Sequence, residues 1–254
     1  MQFVVFDTET TGLPKRWDVS YKEVDNWPRV VQVAWQTHDE WGNLTDSKDY
    51  LIKPKGFDIP YDAEKVHGIS TALAEAEGYD LEKILEEFKA VLEQSDYLVG
   101  QNLNFDIQVL GAEFERLQWE NKLHSTPVLD TCTEKTANLC KIAGGKGGRF
   151  KLPKLGELHH YLFGVDFAEA HNASADVEAT ARCFFELLRV GNYTTEELKV
   201  GFEYIRDYQI KHTQPIKSFG LKHRNLKEES KKYAQKSFSG LDTNTLQANK
   251  EKLK

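Results

Sequence analysis

Two acidic side chains stand two positions apart near the N-terminus, directly after a short apolar run. The run is Phe3-Val4-Val5-Phe6, and Asp7-Thr8-Glu9 follows it. Because alternate side chains of a strand point to the same face, an extended chain presents Asp7 and Glu9 together as two hard oxygen ligands. Such a pair suits Mg²⁺ or Mn²⁺, although two acids after a strand also occur in ordinary solvated loops. The pair alone therefore does not establish a metal site.

Two further acids, Asp106 and Asp176, fall near the starts of expected helices. Apolar residues recur at helical spacing from Leu103 and place Asp106 among them, and Ser174 fits the N-cap of a helix whose first turn contains Asp176. An ionised carboxylate on a buried face is costly unless it is paired or binds a metal. The alternative interpretation of these acids is simple capping of a helix N-terminus.

A histidine, His171, precedes Asp176 by five residues in an expected loop. Its imidazole can take up a proton near neutral pH, which is the property that a general base needs. A single histidine in a loop is, however, also typical of an ordinary protein surface. Its meaning depends on the acids that accompany it.

Taken together, these residues resemble the three motifs of the DEDD 3'-5' exonucleases, in the branch whose third motif is His-x4-Asp. The motifs are Asp7-Thr8-Glu9, Asn104-Phe105-Asp106 and His171 to Asp176, and the resemblance covers about residues 1–190. Three other strings are similar to the proofreading epsilon subunits of bacterial DNA polymerase III: Val30-Val31-Gln32-Val33-Ala34, Val66-His67-Gly68-Ile69 and Leu152-Pro153-Lys154-Leu155.

The resemblance implies an active site with two divalent ions, Mg²⁺ or Mn²⁺, held by four carboxylates. By this likeness Asp7 is the bridging ligand, and Glu9 and Asp176 complete the site of the first ion. Asp106 serves the second ion through water. His171 is the general base, a role that imidazole side chains commonly take in hydrolysis.

The same resemblance implies which residues contact the substrate. Thr10, through its backbone, and the segment with Val66 and His67 would contact the 3'-terminal nucleotide, while Asn102 would lie near the phosphate. Phe105 is a further expected substrate-binding residue. For Val66 and His67, packing at the entry to a helix is an equally good interpretation.

One loop adds aromatic side chains. Residues 14–29 contain Trp17, Tyr21 and Trp27 among charged residues. That composition suits stacking on nucleic-acid bases, but packing over the rim of the site is the simpler interpretation.

The predicted function is metal-dependent 3'-to-5' hydrolysis of single-stranded or frayed DNA ends, which releases nucleoside 5'-monophosphates in proofreading or repair. An exoribonuclease is the nearest alternative, because tolerance of a 2'-hydroxyl depends on the shape of the pocket. A non-catalytic subunit that only assembles with a polymerase is a further alternative. The presence of all four acids and the histidine argues against it.

The elements that must position these residues follow from the apolar pattern. Strands are expected at Gln2–Phe6, Val30–Gln36, Ser47–Ile52, Tyr97–Gly100 and Val128–Thr131. Helices are expected between the later strands, most clearly over residues 81–92. This order predicts an α/β fold with a mixed, ribonuclease H-like sheet flanked by helices.

The net charge differs between the two parts of the chain. Residues 1–190, the expected exonuclease domain, carry a net charge of −12, whereas residues 191–254 carry +5. This basic extension is expected to be helical to about residue 213 and flexible beyond it, and it could bind DNA or a polymerase subunit. The sequence has no apolar run of membrane-spanning length, and Met1 leads into a strand rather than a signal peptide, so a cytoplasmic protein is expected.

Overall fold

The computed structural model describes residues 1–167 and 171–239. A single five-stranded sheet of order β3-β2-β1-β4-β5 lies at its centre. The strands are β1 (Gln2–Thr10), β2 (Val30–Asp39), β3 (Leu44–Leu51), β4 (Tyr97–Gly100) and β5 (Val128–Asp130). The first three strands are antiparallel neighbours, whereas β4 and β5 continue parallel to β1. This is the mixed sheet that the sequence predicted.

Ten α-helices are described around the sheet. They are α1 (Tyr61–His67), α2 (Thr71–Glu77), α3 (Leu81–Gln94), α4 (Asn104–Arg116), α5 (Glu134–Cys140), α6 (Leu155–Phe163), α7 (Ala173–Arg189), α8 (Thr195–Leu198), α9 (Phe202–Lys211) and α10 (Leu226–Ser239). None of the helices in the described ranges is both long and apolar enough to span a bilayer.

The alternation along β1 assigns its side chains to two separate cores. Phe3 and Val5 pack with α7 residues such as Phe184. Val4 and Phe6 pack on the other side, with residues of α3 and α4. Extending this period of two along the strand places Asp7 and Glu9 on the α7 side.

β1 is longer than the sequence predicted. It continues to Thr10 because β2 provides pairing partners along its whole length, so that Asp7 lies opposite Ala34 and Glu9 opposite Gln32. The two acids therefore lie within the strand rather than after it. An extended backbone fixes their directions more firmly than a loop would.

The chain after residue 213 also differs from the expectation of flexibility. Residues 226–239 form α10, which packs on α2 with Leu226 buried among Ile69, Leu73 and Ala74. The sequence of α10 is polar and Lys-rich, but Leu226 and Ser230 are buried against the domain, and Tyr233 packs on the same cluster. Residues 240–254, also expected to be flexible, lie outside the described residues.

Candidate active site

Three carboxylates meet at the C-terminal end of β1. One oxygen from each of Asp7, Glu9 and Asp176 lies within 4.8 Å of the others, and all three side chains are half-buried. Asp7 and Glu9 share a face of the strand, and Asp176 enters from the first turn of α7, which packs against that face. Residues 169 positions apart thus form one acidic group, as the sequence predicted.

Asp106 reaches the site from the first turn of α4 and is held by Thr8. The backbone N–H of Thr8 donates to Asp106 Oδ1 at 3.0 Å, and its hydroxyl donates to the same oxygen at 2.6 Å. The ladder between β1 and β4 stops at the Val5–Val99 pair, so the Thr8 N–H has no strand partner on that side. Asp106 takes its place and is not a helix cap. This contact was not predicted from the sequence.

The third motif is anchored by Asn172. This residue, not Ser174 as the sequence predicted, is the N-cap of α7, because its Oδ1 accepts from the Ser174 backbone N–H at 3.2 Å. Asn172 Oδ1 also accepts from Gln32 Nε2 on β2. The helix start is thereby tied to the sheet, and Asp176 is fixed relative to β1.

The conformation of His171 explains the His-x4-Asp spacing. Its backbone N–H donates to Asp176 Oδ2 at 3.0 Å, and it adopts a left-handed φ of 67° that non-glycine residues rarely take. The imidazole is exposed and lines a small cavity that also contains His67. The chain therefore presents His171 beside the acidic group with its ring accessible to water.

Burial raises the pKa of every acid in the group, and repulsion between the acids adds to this at Asp7 and Glu9. The pKa of Asp7 is well above its ordinary value, first through burial and then through repulsion from Asp106, Asp176 and Glu9. Burial, together with the charges of Asp176 and Asp106, raises the pKa of Glu9 to about 8. Burial raises the pKa values of Asp106 and Asp176 to about 7. Four ionised carboxylates are therefore not stable side by side without a cation.

This donor set fits divalent metal ions. Carboxylate oxygens are the ligands that Mg²⁺ and Mn²⁺ prefer, and the three clustered acids offer oxygens close enough to share one ion. A bound cation would lower the pKa values of these acids and stabilise their ionised forms. Asp106 stands apart from that group of three, which suits a role at a second ion.

The residues expected to contact the substrate take different positions. Thr10 is buried at the end of β1, with its hydroxyl donating to Gly12 O at 2.7 Å. His67 is buried, and its Nδ1 accepts from the Ile69 backbone N–H. Val66 is 47% exposed, so the packing interpretation fits His67 but not Val66. Both residues end α1 rather than begin a helix.

Asn102 and Phe105 flank the start of α4. The backbone N–H groups of Asn102 and Leu103 both donate to the carboxylate of Asp130 at 2.8 Å, and Asn102 has a left-handed φ of 60°. The sequence did not single out Asp130, which fixes this turn. Phe105 is partly buried, directly before Asp106.

The aromatic loop divides into packed and exposed side chains. Tyr21 stacks on His124 with ring centroids 4.1 Å apart, and Trp27 is buried with its N–H donating to Ser20 O. The packing interpretation therefore describes these two. Trp17 is 58% exposed and lies 5.8 Å from the ring of Phe105. It carries an open aromatic face near the second motif.

Comparisons with known proteins agree with the geometry. Residues 4–184 match the sequence model of the RNase_T exonuclease family. The PolC-type DNA polymerase III of Staphylococcus aureus is 26% identical over 188 residues, 74% of this chain. The matched region is only 11% of that polymerase.

Solved structures of Escherichia coli exonuclease I share the fold. One, in complex with a dT13 oligonucleotide, superposes with a TM-score of 0.58 at 19% identity and covers 78% of this chain and 45% of the other. A zinc-bound complex with single-stranded DNA gives a TM-score of 0.57 at 19% identity, over 83% and 43% of the two chains. With the family model spanning most of the chain and the four acids in place, this protein belongs to the RNase_T exonuclease family, and it is a member of the DEDD type that its motifs indicated.

Proposed function

We propose that this protein is a metal-dependent 3'-to-5' exonuclease that removes nucleotides from single-stranded or frayed DNA ends and releases nucleoside 5'-monophosphates. The meeting of Asp7, Glu9 and Asp176 within 4.8 Å, with Asp106 alongside, carries this proposal. The DNA preference is supported by the likeness to a DNA polymerase and to exonuclease I, which binds DNA oligonucleotides in its solved structures. Proofreading or repair is the role that we infer.

In the proposed site, Asp7, Glu9 and Asp176 hold one divalent ion and Asp106 contributes to a second. When bound, the two ions polarise the attacking water and balance the charge that develops on the leaving 3' oxygen. His171, exposed beside Asp176, accepts the proton of the attacking water. Thr8 keeps Asp106 from turning away from the site. Asp130 holds the Asn102 turn, whose side chain we place near the phosphate.

The proposed substrate contacts surround the acids. Thr10, Val66 and His67 lie on the side of the 3'-terminal nucleotide. Phe105, between Trp17 and Asp106, contributes to the path of the strand. Exposed aromatic faces bind successive bases without sequence preference, which fits an enzyme that must accept any 3' end.

Trp17→Ala should weaken binding of single-stranded DNA without changing the chemical step. Stacking of one base on an aromatic side chain contributes about 1–3 kcal/mol, so KM should rise by about tenfold while kcat stays nearly constant. Steady-state kinetics on a dT oligonucleotide provide the measurement. Tyr21→Ala is not a suitable comparison, because Tyr21 packs on His124; Phe202→Ala, at an aromatic side chain of α9 that is 68% exposed, is the matched control. An unchanged KM would remove Trp17 from the substrate path.

Association with a polymerase is part of the proposal, supported by the PolC-type likeness. The basic residues beyond 234 are the part of the extension that we assign to such a partner. We also place the protein in the cytoplasm, in agreement with cysteines 132, 140 and 183, which are all free thiols.

The test of the proposed function is digestion of matched 5'-labelled DNA and RNA oligonucleotides with Mg²⁺, Mn²⁺ or EDTA, beside Asp176→Ala. We expect a ladder that shortens from the 3' end, requires metal, is absent for Asp176→Ala and forms faster on DNA. Faster loss of RNA would instead identify an exoribonuclease. No cleavage of either substrate by the wild-type protein would leave only a non-catalytic role in a polymerase assembly.

A further inference from the structure

The C-terminal segment, residues 213–234, lies against the active site instead of extending away from it. Asn172, the N-cap of α7, donates from Nδ2 to the backbone carbonyl of Arg224 at 2.8 Å. His223 Nδ1 is 3.0 Å from Ser174 Oγ, and its Nε2 is 2.9 Å from Glu178 Oε2. The segment is therefore bonded directly to the first turns of the helix that carries Asp176.

The first turns of α10 are also hydrogen-bonded to the loop after α1. Ser230 Oγ donates to Gly68 O at 2.6 Å and accepts from the Ser70 N–H at 3.0 Å. Gly68 has a φ of 79°, and a Cβ there would lie 2.4 Å from Lys227 Cγ. Only glycine permits this close approach, which brings Lys227 beside His67.

Three basic side chains of this segment have different surroundings. Arg224 pairs with Glu77 and Glu229, and His223 contacts Glu178. No carboxylate of the described residues lies within ion-pair distance of Lys227, whose side chain is exposed. The first two therefore hold the segment in place, while the charge of Lys227 is left available.

Lys227 lies beside the proposed active site. It lines a cavity of about 70 Å³ together with His67, His171 and Asn172. The positive end of α10, a helix of 14 residues, opens at the same place. His67, 3% exposed, also lines this cavity, and its Nε2 makes no hydrogen bond that meets standard geometry. Burial raises the pKa of Glu9 and lowers that of His67, and the nearby charge of Lys227 makes a smaller contribution that lowers both.

We propose that Lys227 is a substrate-binding residue, whose ammonium group binds a phosphate oxygen of the 3'-terminal nucleotide, so that the C-terminal segment completes the catalytic cleft. The chemistry is that of a point charge on a flexible stem, which lysine provides for phosphates at many sites. The inference rests on the proposed function, because it takes a nucleotide as the ligand. It adds a residue from outside the region of the family match, which ends at residue 184.

The test compares Lys227→Ala and Lys227→Arg with Lys232→Ala, which removes the same charge from an exposed position of the same helix. On a 5'-labelled dT oligonucleotide we expect Lys227→Ala to lower kcat/KM by about tenfold and Lys227→Arg to recover most of the loss. Removing one phosphate contact should also reduce the slope of log(kcat/KM) against log[salt] by about 0.7. Lys232→Ala should change neither quantity. Equal values for Lys227→Ala and Lys232→Ala would overturn the inference.

A binding measurement separates this inference from the proposed function. Titration calorimetry with thymidine 5'-monophosphate and Mn²⁺ needs no turnover, and we expect Lys227→Ala to bind about tenfold more weakly than wild type and Lys232→Ala. If the wild-type protein cleaves nothing yet shows this difference, the proposed function fails and the Lys227 site stands. If the wild type cleaves DNA and all three proteins bind the nucleotide equally, the Lys227 site fails alone. A thermal unfolding curve for Lys227→Ala that matches wild type excludes loss of the fold as the cause.

Discussion

Asp7→Asn should reduce exonuclease activity by on the order of 10⁴-fold, which is the scale of loss when a central member of a catalytic group is removed. The amide keeps the size of the side chain but removes the charge that a bridging ligand needs. Asp7 is also the acid whose pKa is raised by burial and by all three of its neighbours, which places it at the centre of the group. The measurement is single-turnover cleavage of a 5'-labelled oligonucleotide in saturating Mn²⁺.

Two further variants serve as comparisons for Asp7→Asn. Asp46→Asn is the matched control and should leave activity unchanged. Asp46 lies on the edge strand β3, opposite Thr37 of β2, away from the acidic group. His171→Ala should retain a small, metal-dependent activity, since loss of a general base costs about 10²–10⁴-fold while the carboxylates remain. Turnover at the wild-type rate in Asp7→Asn would contradict the assignment of the acidic group as the metal site.

In the absence of divalent ions, the protein should lose thermal stability between pH 6.5 and 8.5. The folded pKa values of Glu9, Asp106 and Asp176 are about 8, 7 and 7, all above those of an unfolded chain. Raised pKa values mean that stability is fully present below about pH 4 and is lost as pH rises through the folded values. We expect Tm to fall by on the order of 5 °C over this window, measured by calorimetry in EDTA.

The window avoids the opposing effect of buried histidines. Burial lowers the pKa values of His38 and His67 to about 4, so their contribution is present above pH 6.5 and is lost only as pH falls towards 4. Mn²⁺ binds the ionised acids of the folded state, so the gain in Tm on adding it should be larger at pH 8.5 than at pH 6.5. Glu9→Gln should flatten the metal-free profile and raise Tm at pH 8.5. A profile that is flat in the wild type, or identical in the variant, would show that the acids do not repel one another.

Much of the fold and the positions of several acids of the group could be predicted from local pattern. An apolar run with acids two apart identifies β1 and the shared face of Asp7 and Glu9, because strand geometry repeats every two residues. The period of α7 likewise places Asp176 in its first turn, as observed. These features depend on residues that are close in sequence, so the sequence alone is enough to predict them.

Contacts between distant segments could not be predicted in this way. Thr8 and Asp106 are 98 positions apart, and their bond exists only because the ladder between β1 and β4 ends early enough to leave the Thr8 N–H open. Asn172, and not Ser174, is the N-cap of α7, because Gln32 of β2 also donates a hydrogen bond to Asn172. Which group a polar side chain bonds depends on how the whole sheet packs, and the local sequence does not contain that information.

The C-terminal segment likewise has features that its sequence predicts and features that only the tertiary structure shows. Its composition alone favours a flexible chain, since few apolar residues are available to offset the entropy of ordering it. The tertiary structure supplies what the composition lacks: a pocket for Leu226, a glycine at position 68 that permits close approach, and hydrogen bonds to Asn172 and Ser70. The sequence by itself determined the acids and the strand that presents them, whereas only the packed structure decided that Lys227 lies beside them.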